Sequence, residues 1–361
     1  MLPNDLLKIV ISFLSINEYL LFKITSKKLN NINDINLSYV YSEVKTLNYV
    51  KNYKINKLYF FVHNSSHIEY LKNMNFYKKL ILEIFLLHDD FNYLTGIKNL
   101  SKLILPSLYP ADQKHVINLL KNYNINTLRF TCREKLIDEI NNITNIKYLQ
   151  LLYEYDLFPN FKEISSEAKI RITKLIFYRL YGNLKFKEMN KNIFNNLKLT
   201  IESCLNLNDE NIFDLKNFPI VFLKISDSYK ITGQSINYIN EFSNLKTLYL
   251  LHCPRICDRE LEKLKNSSIT KLTLSLSITH NGLDFLELME LKTLNLYNMI
   301  ITMKILNKLI FFGKKKKINI HLISCNMSTK IYQKINNYNF ITIRKNTNYF
   351  LTKNNVIIDF N

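Results

Sequence analysis

A unit of two apolar residues flanking one variable residue recurs twelve times along the chain. The pairs are Leu58/Phe60, Leu82/Ile84, Leu103/Leu105, Leu128/Phe130, Leu149/Leu151, Leu175/Phe177, Leu199/Ile201, Leu223/Ile225, Leu248/Leu250, Leu272/Leu274, Leu294/Leu296 and Ile320/Leu322. From Leu58 to Ile320 is 262 residues in 11 steps, about 24 per step, and single steps run from 21 to 26. A third apolar residue stands three positions before the first member of most pairs (Ile55, Leu100, Ile125, Ile146, Ile172, Ile220, Leu245, Ile269, Leu291), with Lys79, Asn196 and Lys317 as exceptions. This frame predicts a short strand per unit whose alternate side chains point inward. One such strand cannot bury its apolar edge alone, so the units must stack as a repeat array. Ile341-Thr342-Ile343 predicts a further strand near the end.

Residues 2–32 do not follow this frame. Leu6, Leu7, Val10, Phe13 and Leu14 fit one helical face after a cap at Asn4 or Asp5, and Tyr19, Leu20, Leu21 and Ile24 fit a second helix. About 30 residues bury too little surface to stand alone, so this head needs either a partner or the first repeat. The expected layout is a helical head at 1–40 followed by a repeat array at 41–361.

The outward positions of the predicted strands form the candidate binding surface, on the concave side of the stacked array. Lys57, Lys102, Lys174, Lys198 and Lys271 precede their pairs, whereas Tyr59, Arg129, Lys224 and Tyr249 lie between pair members; Tyr148 precedes Leu149. Together they predict a discontinuous basic groove interleaved with aromatics.

Composition sharpens this picture only a little. The 361 residues include 49 Lys+Arg against 30 Asp+Glu, a formal charge of +19. Such a field attracts nucleic acid, anionic membranes or acidic proteins. However, only seven of the basic residues are arginines, the side chain that base-reading surfaces favour. The lysines are spread over most repeats, and only Lys314–Lys317 forms a run. Abundant Lys, Asn and Ile with no Trp read as the coding bias of an AT-rich genome. Nucleic acid is therefore disfavoured as partner, and a target protein with an acidic patch is preferred. Asp5 and Lys8 interrupt the apolar start, and no stretch of about 18 apolar residues exists, so neither a secretory signal nor a spanning helix is expected. Five cysteines, an odd number, favour a reducing interior, either cytoplasm or nucleus.

No constellation for catalysis emerges, and neither a cofactor nor a metal is expected. Cys204, Cys253 and Cys325 each lie five residues after the first apolar of their strand, which predicts a structural role at a repeated bend rather than one convergent site. His252, Cys253 and Cys257 are three potential metal ligands within six residues, but no second cluster accompanies them. Asp89-Asp90 and Asp209-Glu210 fall in predicted loops of different repeats, and the five glycines are isolated, so no phosphate loop can form.

Two family resemblances can be stated on particular residues. The head resembles the F-box: Leu2-Pro3 opens it, Asp5 and Leu6-Leu7 follow, and Val10, Leu14 and Leu20 hold the family's apolar positions. Ser26-Lys27-Lys28-Leu29 stands where members often carry Cys, two basic residues and Trp, so Leu29 replaces the Trp. The array resembles the cysteine-containing class of leucine-rich repeat. Leu245-x-x-Leu248-x-Leu250-x-x-Cys253, followed by Ile256-Cys257-Asp258, Leu261 and Leu264, carries that likeness. The unit from Leu199 repeats it through Cys204 and Leu207-Asn208-Asp209, and the next unit places Ser228 at the cysteine position.

These resemblances imply an α/β leucine-rich-repeat solenoid, or horseshoe, preceded by a small F-box-like head. They imply a non-enzymatic substrate receptor of a cullin-based ubiquitin ligase. In that reading Leu2, Pro3, Leu6, Val10, Leu14 and Leu20 bind a Skp-type adaptor. A scaffold whose head is only a cap, and a basic nucleic-acid-binding solenoid, are the alternatives. The coding bias resembles that of giant DNA viruses of amoebae, in which such a receptor would act on the ligase of the host.

Overall fold

A computed structural model of the chain describes residues 36–37, 40–42, 54–62, 69, 71–72, 77–84, 97, 99–105, 127–132, 148–154, 171–275 and 278–344. The head positions named above, from Leu2 to Leu20, lie outside the described residues. The chain divides into two compact units, broadly residues 1–150 and 151–361.

In the first unit the described strands are β1 (Asn36–Leu37), β2 (Val40–Ser42), β3 (Lys54–Val62), β4 (Tyr77–Ile84), β5 (Leu100–Leu105) and β6 (Thr127–Cys132). β1, β2 and β4 pair parallel with β3, and the ladder continues from β4 through β5 to β6. Strand β7 (Tyr148–Glu154) spans the boundary between the units. The second unit holds eight parallel strands in sequential order. They are β8 (Arg171–Tyr178), β9 (Phe194–Glu202), β10 (Ile220–Ser226), β11 (Thr247–Leu251), β12 (Lys271–Ser275), β13 (Thr293–Tyr297), β14 (Asn319–Ile323) and β15 (Ile341–Arg344). Among its described residues the connections carry α1 (Asp209–Asp214), α2 (Gly233–Asn240), α3 (Asp258–Leu261), α4 (Gly282–Leu286), α5 (Met303–Lys316) and α6 (Thr329–Ile335). This is a mixed α/β arrangement of strand–turn–helix units.

Parallel neighbours put like positions side by side, so the paired apolar residues stack into two continuous rows. Leu199, Leu223, Leu248, Leu272, Leu294 and Ile320 form one, with Ile201, Ile225, Leu250, Leu274, Leu296 and Leu322 beside it; all are buried. Ile212 and Leu215, Ile236 and Ile239, and Leu261 and Leu264 add the buried sides of the connecting helices. Fully burying such a side chain contributes about 1.5–3 kcal/mol relative to exposure, which is why the repeat, not local propensity, dictates the fold.

The three exceptions to the third apolar position have one explanation. In each unit the apolar residue comes one position later: Leu80 after Lys79, Leu197 after Asn196, and Ile318 after Lys317, all buried. Asn196 (φ 45°) and Lys317 (φ 55°) adopt left-handed backbone, which reorients the chain before the strand. At β4 the slip also alters the predicted frame. Leu80 and Leu82, not Leu82 and Ile84, lie opposite Leu58 and Phe60, and Ile81, in register with Tyr59 and Lys102, is buried. Ser101 is the extra residue that restores the frame toward β5; its hydroxyl donates to the Leu80 carbonyl at 3.0 Å.

Asp209 and Glu210 correct a second expectation, because they open helix α1 rather than lie in a loop. Asn208 caps that helix: its side chain accepts from Asn211 N at 3.1 Å, while Asn208 N donates to Asn211 Oδ1 at 3.0 Å. The Lys314–Lys317 run also finds a structural place. Lys314, Lys315 and Lys316 form the last turn of α5, where positive charge meets the negative end of the helix dipole. Lys315 pairs with Glu287, and Lys316 with Glu290 at 3.6 Å.

Candidate functional site

Six strands of the second unit, β8–β11, β13 and β14, end in the same bend. The residue after the strand adopts left-handed backbone: Arg179, Ser203, Asp227, His252, Asn298 and Ser324 all have φ between 50° and 55°. Residues that favour this conformation through side-chain hydrogen bonding, such as Asn and Asp, supply only part of the set. The next residue turns inward. At that point Cys204 Sγ donates to the Glu202 carbonyl at 3.5 Å and lies 3.8 Å from the Phe177 carbonyl of the preceding strand. Cys253 repeats the pattern with the carbonyls of Leu251 and Ile225, and Cys325 with those of Ile323 and Leu296. Ser228 takes the position with an oxygen, donating to the Ser226 carbonyl at 3.2 Å. At Cys204, Cys253 and Cys325 the thiol therefore reaches both its own strand and the preceding one, whereas Ser228 bonds its own strand alone.

These thiols are poor nucleophiles. Burial pushes the Cys204 thiol up to about 11 and the Cys253 thiol up to about 12. Among the four cysteines whose side chains are described, native-state labelling with a thiol reagent should modify exposed Cys257 first and leave Cys204 and Cys253 unreacted until the protein unfolds. Fast native labelling of either buried cysteine would contradict the structural assignment. The His252, Cys253 and Cys257 side chains take separate partners: Asp227 Oδ1 at 3.0 Å, the Leu251 carbonyl, and Glu260 Oε2 at 2.8 Å.

The face opposite the leucine rows offers the candidate surface. Lys174 and Lys198 stand opposite each other on β8 and β9. Lys198 is exposed, whereas Lys174 is half-buried. Lys224, between Thr200 and Tyr249, bonds Glu202 Oε2 at 2.8 Å, so its charge is locally neutralised. Tyr249 packs on Phe222 with centroids 5.2 Å apart, and Lys271 Nζ lies 5.8 Å from the Tyr249 ring. The structure thus brings together Lys174, Lys198, Lys224, Tyr249 and Lys271 on one sheet face.

The remaining sequence candidates belong to β3, β5, β6 and β7. Lys57 stands opposite Lys79, Tyr59 opposite Ile81, Lys102 opposite Thr127 and Arg129 opposite Ile104. Tyr148 opens β7. The side chains of Lys57, Tyr59, Arg129 and Tyr148 lie outside the described residues.

The sequence places Thr273, Asn295 and His321 in the outward row, and the structure shows the first two as a polar floor of this face. Thr273 and Asn295 occupy the same outward row as Tyr249 and His321, yet they are only 2% and 4% exposed. Asn295 Nδ2 donates to Thr273 Oγ1 at 2.9 Å, and Asn295 Oδ1 is buried without a partner. His321 follows on β14, bonded to Thr342 Oγ1. Burial holds its imidazole below the ordinary value, and the charges of Arg344 and Lys271 act in the same direction. An amide and a hydroxyl in register between two larger side chains was the available sequence signal.

The family model of the F-box domain matches the head. Residues 1–37 match the F-box domain. An F-box domain implies an adaptor role in a ubiquitin ligase. No curated protein matches the chain. Among solved structures the chain is similar to an internalin of Listeria monocytogenes, at 16% identity with a TM-score of 0.37. The likeness covers 73% of this chain and 87% of the internalin. No helix among the described residues is long and apolar enough to cross a membrane.

Proposed function

We propose that this chain is the substrate-recognition subunit of a cullin-based, SCF-type ubiquitin ligase and performs no catalysis itself. The match of residues 1–37 to the F-box domain carries the reading. In it the head, residues 1–40, docks a Skp-type adaptor through Leu2, Pro3, Leu6, Val10, Leu14 and Leu20. Residues 41–361 form a leucine-rich-repeat solenoid of the cysteine-containing class, whose lysine-bearing face holds a target protein in cytoplasm or nucleus. Lys57, Tyr59, Lys102, Arg129, Tyr148, Lys174, Lys198, Lys224, Tyr249 and Lys271 belong to that face in this proposal. Such an arrangement works by proximity: the adaptor tethers the ligase, the repeats tether the substrate, and transfer becomes effectively intramolecular. If the coding bias marks a viral genome, the ligase being redirected is the host's.

Two observations support a protein target over a nucleic acid. The one lysine run is occupied at the end of α5 with acidic neighbours, and Lys224 is neutralised by Glu202. Affinity purification of the chain with and without residues 1–32 tests the division of labour. Both forms should retain the same target, and only the longer one should bring adaptor and cullin. Adaptor recovered equally with both would contradict the proposal.

A further inference from the structure

Among the described residues, eight large apolar side chains are exposed, and four of them share one position in the repeat. Tyr181, Leu205, Tyr229 and Ile300, between 46% and 66% exposed, each stand three residues after the end of a strand, on β8, β9, β10 and β13. Pro254 takes the same place after β11 and is also exposed. Because β8–β11 are adjacent and parallel, Tyr181, Leu205, Tyr229 and Pro254 form a continuous row along the rim where the strands end. Ile300 lies two strands further along. The other four, Phe213, Leu288, Phe311 and Tyr332, are dispersed on or beside α1, α4, α5 and α6. Single exposed apolar residues are ordinary, whereas an aligned row marks an interaction surface.

A second, polar row runs beside the first. The residues that follow Leu205, Tyr229 and Pro254 are Asn206, Lys230 and Arg255. Asn206 Nδ2 donates to the Tyr181 carbonyl, and Lys230 Nζ donates to Asn206 Oδ1 at 2.7 Å. Each side chain thus leans on the preceding repeat, which holds the Lys230 ammonium beside the apolar row. Lys230 and Arg255 are exposed, and among the described residues neither pairs with a carboxylate. The carboxylate of these bends, Asp227, is engaged by His252 at 3.0 Å.

We propose that this rim seats an amphipathic α-helix of a partner protein, its apolar stripe on Tyr181, Leu205, Tyr229 and Pro254 and its flanking carboxylates on Lys230 and Arg255. The surface is separate from the lysine-bearing sheet face and does not depend on the receptor reading. Charge complementarity sets the sign of the flank, and spacing sets the secondary structure. Neighbouring strands lie about 4.8 Å apart, close to the roughly 5–6 Å between neighbours on one helix face. Alternate residues of an extended segment are about 6.4–6.8 Å apart and fall out of step with the row. From β8 to β13 the five strand spacings cover about 24 Å, the length of about 16 helical residues. An anionic membrane surface calls for a cluster of about four to eight basic residues, whereas this row is flanked by Lys230 and Arg255.

The chain has no Trp, so one introduced indole reports on its own surroundings. Tyr229→Trp on the rim and Tyr332→Trp on α6 are titrated, in the full chain, with a synthetic leucine–glutamate peptide of about 16 residues whose leucines share one helical face. A leucine–lysine peptide of the same pattern is the control. Tyr229→Trp emission should move to shorter wavelength with the glutamate peptide only, and Tyr332→Trp should respond to neither. In labelled-peptide anisotropy, Leu205→Ser combined with Tyr229→Ser should weaken binding by at least about tenfold. Lys230→Ala combined with Arg255→Ala should weaken it by about three- to tenfold, chiefly through a slower on-rate. These side chains are exposed, so both variants should unfold at the wild-type temperature. Equal responses at the two Trp positions, equal responses to the two peptides, or wild-type affinity in the serine variant would each overturn the proposal. So would tighter binding of phosphatidylserine vesicles, or a self-associated chain that the serine substitutions make monomeric. The Leu6→Asp/Leu14→Asp head variant should leave all of these readings unchanged, so the two proposals fail separately.

Discussion

Asp209→Ala should destabilise the second unit by about 2–4 kcal/mol, a large effect for a side chain that is not fully buried. Its carboxylate is the junction between two repeats. Oδ1 accepts from Thr232 N at 2.9 Å and Ser235 N at 3.2 Å, Oδ2 accepts from Thr232 Oγ1 at 2.7 Å, and Ser235 Oγ donates to Oδ1. Ser235 is completely buried, so alanine at 209 would leave its hydroxyl without this acceptor in the protein interior. Thr232 caps α2 by accepting from Gln234 N, so losing its own anchor also loosens that cap. Asp258 repeats the device toward Thr279, but at an exposed position, and Asp258→Ala should cost less.

The pH dependence of the Asp209 contribution has a definite sign. Burial alone raises the carboxyl, but the hydrogen bonds from Ser235 and Thr232 outweigh it and hold the group below its ordinary value of 3.8. A depressed carboxylate stabilises the fold fully above its unfolded value, and that stability is lost as pH falls through the lower folded value. Urea unfolding of wild type and variant should therefore differ by a constant amount at neutral pH, with the gap closing in acid below the ordinary value. A gap within about 0.5 kcal/mol at neutral pH would remove the junction from the account.

The strands were legible because their cause is periodic. A leucine every 24 residues or so must lie in register with its neighbours, and β8–β15 place the predicted pairs side by side. The Cys/Ser position was legible for the same reason. What escaped reading has local causes. The left-handed bend after β8–β11, β13 and β14 carries no glycine, and Arg, Ser, Asp, His and Asn share no single sequence mark. The slip at Lys79, Asn196 and Lys317 moves one apolar residue by one place, which a strict frame records as a missing residue. Asp209 was read as a loop carboxylate because its role depends on Thr232 and Ser235, two residues of the next repeat. On the candidate face, Lys and Tyr attract notice, whereas the buried Thr273–Asn295 pair becomes visible only once β12 and β13 are aligned.

Leu6→Asp combined with Leu14→Asp should abolish adaptor binding while leaving the repeats folded. Leu6, Val10 and Leu14 are spaced four apart, a spacing that predicts one side of a helix. Burying a leucine side chain at an interface contributes about 1.5–3 kcal/mol, so losing two removes about 3–6 kcal/mol before any penalty for desolvating the new carboxylates. At about 1.4 kcal/mol per tenfold, that weakens binding by roughly a hundredfold to ten-thousandfold. In the proposed complex, Leu29 in place of the family's Trp should lower the starting affinity, so the double variant should fall below detection. Unfolding transitions of wild type and double variant should coincide for the second unit, because the substitutions lie in a separate segment of the chain.

Calorimetric titration of the purified full chain with a purified Skp-type adaptor tests the central claim most directly. The wild-type chain should bind one adaptor per chain, and the Leu6→Asp/Leu14→Asp chain should give no binding heat. Failure of the wild-type chain to bind, or equal binding by both chains, would contradict the receptor account.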